Sequence, residues 1–188
     1  MGGRLIYLMG PSGSGKDSLL HAARERLAER GCVIARRVIT RSAEALGEEA
    51  IALMPAEFDQ QEAAGAFALS WRANGLAYGI PRQIDDWLAA GQDVLVNGSR
   101  GHLLQARQRY PELMGILLRV DLDVLRQRLL RRARETPQQI EQRLARNALF
   151  DSRVAAEADG LHVLDNSSHF ERTVDNLLAL IGASRACA

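Results

Sequence analysis

The sequence predicts an α/β domain with a central parallel sheet covered on both faces, and three observations lead there. Short apolar runs recur between amphipathic stretches along the chain, which is the pattern of parallel strands joined by right-handed helical crossovers. The first such run, Leu5-Ile6-Tyr7-Leu8-Met9, passes directly into Gly10-Pro11-Ser12-Gly13-Ser14-Gly15-Lys16. A helical pattern follows at once, with Leu19, Leu20, Ala23 and Leu27 on one face. At 188 residues, 47% hydrophobic and 25% charged, the chain is sized for one domain with one substantial core.

Taken in order, the first strand, over 5–9, is apolar throughout because both of its faces are buried. The helix after the glycine-rich loop stops at Gly31, and Val33 to Thr40 reads as a second strand. A polar, irregular stretch runs to Met54, and Pro55 opens a short helix that ends near Gly65. Phe67 to Tyr78 reads as a hairpin, since Asn74-Gly75 is the favoured pair for a two-residue type I′ turn. Pro81 to Ala90 is an amphipathic helix capped by Gly91, and Asp93 to Val96 is a buried strand. A helix through Leu103 and Ala106 leads to a strand over Gly115–Val120. Helices over Leu122–Arg134 and Pro137 to about Ala158 are separated by Glu135-Thr136-Pro137, and a strand over Leu161–Leu164 and a helix over Phe170–Ile181 follow.

Composition excludes several classes of function. No apolar run reaches the ~18 residues that a membrane helix needs, and the N-terminal run of about five is too short for a signal-peptide core, so no export signal is expected. Cys32 and Cys187 cannot build a disulfide framework, and a reducing, cytoplasmic setting fits them. A formal net charge of +1 argues against a globally basic nucleic-acid binder. His21, His102, His162 and His169 are scattered without ligand spacing, so no metal is assigned to them. Trp71 and Trp87 read as packing residues.

The segment Gly10 to Lys16 fits the phosphate-loop pattern G-x-x-x-x-G-K in the required context, after a strand and opening a helix. Its glycines let backbone N–H groups turn toward phosphate oxygens, the helix N-terminus adds partial positive charge, and lysine reaches the terminal phosphates. Gly10, Pro11, Ser12, Gly13, Ser14, Gly15, Lys16, Asp17 and Ser18 are therefore the candidate ATP-binding residues. Of the 24 basic residues the only lysine is Lys16 and the other 23 are arginines, so the one compact ammonium stands where the chemistry needs it. The Ser/Thr expected after lysine is Asp17, a hard-oxygen donor suited to Mg²⁺ directly or through water, and also a residue that stabilises a first helical turn.

From the loop onward the chain resembles the guanylate kinase family of nucleoside monophosphate kinases over nearly its whole length. Thr40-Arg41 resembles that family's phosphate-gripping pair, Ser70-Trp71 through Asn74-Gly75 to Tyr78-Gly79 its hairpin, and Ile84 to Leu95 the helix and strand that follow. Arg128-Leu129, Arg132, Ile140 and Arg143-Leu144 resemble its arginine-bearing lid, within a run that also holds Arg126, Arg131 and Arg134. The resemblance implies a P-loop kinase with a core of about 1–40, 92–125 and 158–188, a small hairpin-containing acceptor-binding insertion of about 41–91, and an Arg-rich lid of about 126–150.

The departures from that family are specific. Ser42-Ala43-Glu44 stands where a second arginine is expected, and the phosphate-holding tyrosine is replaced near Ile51. Ser70 takes the place of a guanine-reading glutamate, and Val96-Asn97-Gly98-Ser99-Arg100 replaces an acidic strand end. Without those carboxylates guanine's donors go unpaired, at roughly 1–3 kcal/mol each.

With Gly10 to Leu20, Ile39-Thr40-Arg41, Ala68 to Leu76 and Asp93 to Arg100, the chain resembles the ribose 1,5-bisphosphate phosphokinases of phosphonate breakdown. That resemblance implies ATP and Mg²⁺ as cofactors, a sugar bisphosphate acceptor and phosphoribosyl diphosphate as product. Lys16, Arg132 and Arg143 become the catalytic candidates, and Arg128 joins the ATP site. Thr40, Arg41, Ser70, Tyr78, Asn97 and Arg100 become the acceptor candidates, although Tyr78 also reads as hairpin core and Asn97 as a helix cap. A nucleoside monophosphate kinase and a silent binding module are the alternative readings, and the oligomeric state stays open, a homodimer included.

Overall fold

β1 (Leu5–Met9) is buried along its whole length, as a strand flanked on both sides must be. It belongs to a five-stranded sheet with β2 (Cys32–Ile34), β7 (Asp93–Asn97), β8 (Met114–Arg119) and β9 (Leu161–Asp165), in the order β2-β7-β1-β8-β9. The pairings Cys32↔Asp93 to Ile34↔Leu95 and Gly115↔Leu161 to Arg119↔Asp165 are parallel, as expected. This computed structural model describes residues 2–40, 50–133, 135–156 and 160–183. Among them no helix is long and apolar enough to cross a membrane.

A second, four-stranded sheet consists, in spatial order, of β4 (Ile51–Ala52), β3 (Val38–Ile39), β6 (Leu76–Pro81) and β5 (Phe67–Ala73). β5 (Phe67–Ala73) and β6 (Leu76–Pro81) form the expected hairpin, with Asn74 at φ 52° and Gly75 at φ 74°, both positive as a type I′ turn requires. The region expected as one strand over Val33–Thr40 is instead two. β2 ends at Ile34, and β3 (Val38–Ile39) pairs antiparallel with β6. Apolar character alone could not show that the two halves serve different sheets. β4 (Ile51–Ala52), in a stretch read as irregular, pairs parallel with β3. Pro81 closes β6 rather than opening a helix, and α3 spans Gln83–Ala89. The pairing Phe67↔Pro81 holds that proline at a strand end, where its missing N–H does no harm.

The described residues fall into two packed units. One lies within Met1–Tyr7, Arg24–Gly98 and His102–Leu113, the other within Leu8–Ala23, Ser99–Gly101 and Met114–Ala188, and β1 contributes to both. In the first unit α2 (Pro55–Ala63) lays Phe58 against Val38 and Ala77, and its ring stacks on Phe67 at 4.7 Å. Glu57 accepts a bond from the Met54 N–H at 2.8 Å, fixing where α2 starts. α4 (Leu103–Arg109) is tied to α3 through Asp85, which accepts from Tyr110 Oη at 2.6 Å and Arg109 at 2.7 Å. Burial and that bond push the Tyr110 hydroxyl up to about 12.

In the second unit α5 (Leu122–Arg132) and α6 (Pro137–Ala156) share a core of Val120, Leu125, Leu129, Ile140 and Leu144. α5 ends at Ala133 in the left-handed region, φ 49°. α6 begins with a reciprocal cap: Thr136 N–H donates to Gln139 Oε1 at 2.9 Å, and Gln139 N–H donates to Thr136 Oγ1 at 3.3 Å. α1 (Lys16–Ala28) and α7 (Phe170–Ala183) complete the helices.

Asp93, buried at the head of β7, accepts from the Arg4 N–H at 3.0 Å and pairs with Arg4 Nη2 at 2.6 Å. Asp93→Ala removes the buried carboxylate that the half-buried Arg4 meets and should lower the unfolding free energy by about 1–3 kcal/mol, read from urea denaturation.

Candidate active site

The second unit holds the phosphate loop and its surroundings. Gly13 and Gly15 adopt φ 92° and 93°, which side chains other than glycine rarely take, and this curls the backbone between them. A Cβ on Gly10 would sit 2.6 Å from the Leu118 carbonyl oxygen, so the loop's first residue must also be glycine. Lys16 Nζ donates to the carbonyls of Gly10 at 2.7 Å and Pro11 at 3.1 Å, arching its chain over the loop. Asp17 and Ser18 are exposed in the first turn of α1.

Behind the loop lies a residue that sequence reasoning missed, Asn166. Its Nδ2 donates to the Ser14 carbonyl at 2.7 Å, while Arg128 donates to that same carbonyl at 3.3 Å and to the Asn166 carbonyl at 2.7 Å. Asn166 is 2% exposed, and its Oδ1 has no hydrogen-bond partner. Burial, then Arg132, pushes the Arg128 guanidinium below its usual range, with Asp165 acting against them. Gly13, Gly15, Ser18, Arg128, Arg131, Arg132, Asn166 and Phe170 line a cleft of about 250 Å³. The signal for Asn166 was its place just beyond the carboxyl end of a parallel strand, where ligands of α/β sheets gather.

The arginine run separates into roles. Arg128, Arg131 and Arg132 face the cleft, whereas Arg126 makes ion pairs with Asp123 and Glu141 on the α5 and α6 surfaces. Arg134 lies outside the described residues. Arg143 pairs with Glu135 at 2.7 Å and reaches Ser12 Oγ of the loop at 3.4 Å. Arg100 donates to Asn147 Oδ1 at 2.8 Å and to its carbonyl at 3.4 Å, so this acceptor candidate is held by α6.

The remaining acceptor candidates are in the first unit, apart from Arg41, which lies outside the described residues. Thr40 links β3 to β6, its Oγ1 accepting from the Ala77 N–H at 2.7 Å. Ser70 hydrogen-bonds to Glu62; Arg72 first, then Ser70, holds that carboxyl below its ordinary value. Asn97 ends β7, 5% exposed, and the cap position of α4 is taken by His102. A Cβ on the next residue, Gly98, would lie 2.1 Å from the buried Tyr7 ring, so only glycine fits there. The Tyr78 ring stacks on Trp71 at 5.5 Å and 7°, and Trp71 stacks on His102 at 5.5 Å. Arg37, not singled out from sequence, places its guanidinium 4.9 Å from the Tyr78 ring centre.

A parallel sheet whose first strand feeds a glycine-built phosphate loop, with arginines over a cleft beside it, defines a P-loop phosphoryl-transfer domain. Residues 6–148 match the family model described as AAA domain. The fold is similar to that of guanylate kinase from Anaplasma phagocytophilum, with a TM-score of 0.74 at 21% identity over 97% of this chain and 86% of that one. More closely, the chain is 68% identical to ribose 1,5-bisphosphate phosphokinase PhnN of Pseudomonas paraeruginosa and 62% identical to that of Azotobacter vinelandii, over the full length of each. The chain belongs to the ribose 1,5-bisphosphate phosphokinase PhnN family.

Two outcomes are expected at these residues. Lys16→Arg conserves charge but replaces a compact ammonium with a planar fork, so turnover by ADP release should fall by ~10²-fold. The second concerns His102, whose imidazole burial pushes below its usual 6.5. The unfolded chain then takes up this proton more readily than the folded one. Stability should therefore fall as pH drops below 6.5 toward the lowered folded value, and should not change above it on this account. His102→Phe keeps the stack and should remove that part of the pH dependence of the urea midpoint.

Proposed function

We propose that this chain transfers the γ-phosphoryl group of ATP to the 1-phosphate of ribose 1,5-bisphosphate, giving 5-phospho-α-D-ribose 1-diphosphate and ADP. The observation that carries the reading is full-length identity of 62–68% to relatives named for this acceptor, joined to an intact phosphate loop. A 21% identical guanylate kinase neighbour supports the fold alone.

The loop fits a polyphosphate. Two positive-φ glycines curl it, and the Lys16 ammonium is already held over its rim on two carbonyls. Asp17, exposed in the first turn of α1, carries hard carboxylate oxygens suited to Mg²⁺ and is the residue that would hold it, directly or through water. When bound, that ion supplies charge neutralisation between the phosphates.

The nucleophile is an oxygen of the acceptor's 1-phosphate, which is ionised at neutral pH, so no residue has to remove a proton. Its bond to the γ-phosphorus forms as the bond to the β–γ bridging oxygen breaks, and ADP leaves with that electron pair. The protein's task is to overcome repulsion between two polyanions. Lys16, Arg132 and Arg143 take the catalytic roles in this proposal, Arg128 supports ATP, and Thr40, Arg41, Ser70, Tyr78, Asn97 and Arg100 are each assigned to the acceptor. Of these, Ser70 has the weakest support, because its hydroxyl is engaged by Glu62. The same proposal takes about 41–91 as the acceptor-binding part and about 126–150 as the lid, in a cytoplasmic enzyme.

The test is ADP release with ribose 1,5-bisphosphate against GMP. The sugar should be preferred by ~10³-fold or more in kcat/KM, because guanine's donors would meet Ser70 and Asn97 rather than carboxylates. A better kcat/KM with GMP would overturn the reading.

A further inference from the structure

Arg143 projects from α6 to the rim of the phosphate loop, and an acid holds it there. Ile140, Arg143, Leu144 and Asn147 follow one another at helical spacing along one face of α6. Ile140 and Leu144 are buried with Leu125 and Leu129 of α5, and Asn147 is buried where it accepts from Arg100, so the rotation of α6 is fixed. On that face Arg143 Nη1 reaches Ser12 Oγ at 3.4 Å, while Nη2 pairs with Glu135 at 2.7 Å.

Glu135 lies in the turn between α5 and α6, and both sides of that turn are set. α5 ends at Ala133 in the left-handed region, and Thr136 and Gln139 cap α6 reciprocally. The carboxylate therefore projects from a defined backbone. It is also better covered than a surface acid. The side chains of Arg143 and Glu135 are 30% and 23% exposed, whereas Glu141 and Asp123, the acids that Arg126 meets, are 57% and 87% exposed. Covering a carboxylate costs desolvation that an exposed one escapes. Nor does the pair tie two elements together. Glu135 stands two residues before α6, which carries Arg143, and α5 is already held to α6 by their shared apolar core and by Arg126. Its effect is local: it chooses which way the Arg143 guanidinium points, and that direction is the loop.

We propose that Glu135 is a positioning residue for phosphoryl transfer, holding the Arg143 guanidinium at the loop in the orientation that meets the transferred group. This rests on the reading of Arg143 as catalytic. An arginine left to itself on a helix samples many rotamers, and that freedom has to be given up when the phosphoryl group arrives. A carboxylate on one N–H makes the selection beforehand, and phosphoryl transfer depends on donors that are already in place. The negative charge of Glu135 works against the incoming phosphates, so its reach matters here more than its charge.

The experiment uses the full chain and measures ADP release at saturating ATP and ribose 1,5-bisphosphate for Glu135→Ala, Glu135→Gln, Glu135→Asp, Arg143→Ala and the double variant with alanine at both positions. Glu135→Ala should lower kcat by about tenfold, with Tm close to that of wild type. Glu135→Gln keeps the length and an acceptor oxygen and should recover most of the loss. Glu135→Asp keeps the charge, loses the reach and should resemble Glu135→Ala. Once Arg143 is alanine, Glu135→Ala should change kcat by no more than about twofold. A full tenfold loss in that background would overturn the inference, because the acid would then act apart from Arg143. An unchanged kcat in Glu135→Ala would overturn it, and so would a Glu135→Gln faster than wild type, which would make the acid a restraint on Arg143. If Glu135→Ala does not fold, the order of Glu135→Gln above Glu135→Asp decides. An Arg143→Ala variant as fast as wild type would remove the catalytic role of Arg143 and this inference together, and leave the kinase activity standing. If the wild-type chain uses GMP but not ribose 1,5-bisphosphate, the proposed acceptor fails, and the same variants read with GMP decide this inference. Inactivity on both would remove the activity and the inference alike.

Discussion

The carbonyl of Ser14 faces a constraint imposed by the loop it belongs to. A backbone curled by positive-φ glycines on either side, so that its N–H groups gather inward, turns carbonyl oxygens outward into the protein, where each needs a donor. Asn166 supplies one at 2.7 Å and Arg128 another at 3.3 Å, and Arg128 then bonds Asn166 in turn. Loop curvature, the end of β9 and the middle of α5 are thereby fixed to each other. A phosphate cradle has to be stiff before its ligand arrives, since ordering it on binding would cost affinity. Here three elements far apart in sequence provide that stiffness.

Neutral partners also hold a cation beside the loop. Arg128 is held by the carbonyls of Ser14 and Asn166, contacts that orient a guanidinium without neutralising it. Arg126 and Arg72 are instead met by carboxylates, Asp123 and Glu141 for one and Asp59 and Glu62 for the other, and they serve as surface ties. Twenty-three arginines look alike in a sequence, but the fold gives Arg128 carbonyls beside the loop and gives Arg126 and Arg72 carboxylates at the surface. Exposed pairs of the second kind contribute little to stability, so their role is mainly to hold α5 to α6 and α2 to the hairpin in register.

Ser70 and Asn97, the short polar residues at two proposed acceptor positions, also have a structural side. Ser70 is short enough to meet Glu62 of α2, and the Asn97 side chain can be buried at the end of β7 with no charge to desolvate. Gly98, pressed against Tyr7, lets the chain leave the sheet immediately after Asn97. What read as a departure from a guanine site is also a set of residues that this backbone can accommodate.

Local chemistry determined a good deal without tertiary help. The phosphate loop, the Asn74-Gly75 turn, the Thr136-Pro137 helix start and the apolar parallel strands each follow from neighbouring residues, because backbone conformation and capping are short-range effects. The family was legible too, since its motifs are contiguous. The split of Val33–Thr40 into strands of two different sheets was not, because strand pairing is chosen by partners forty or sixty residues away and both halves are equally apolar. Nor was Pro81 as a strand end, which only its pairing with Phe67 explains. Asn166, Asn147 and Arg37 stayed hidden for a related reason. An amide or a guanidinium carries no local sign of its partner, and its role is set by which carbonyl or ring the fold brings within about 3–5 Å of it.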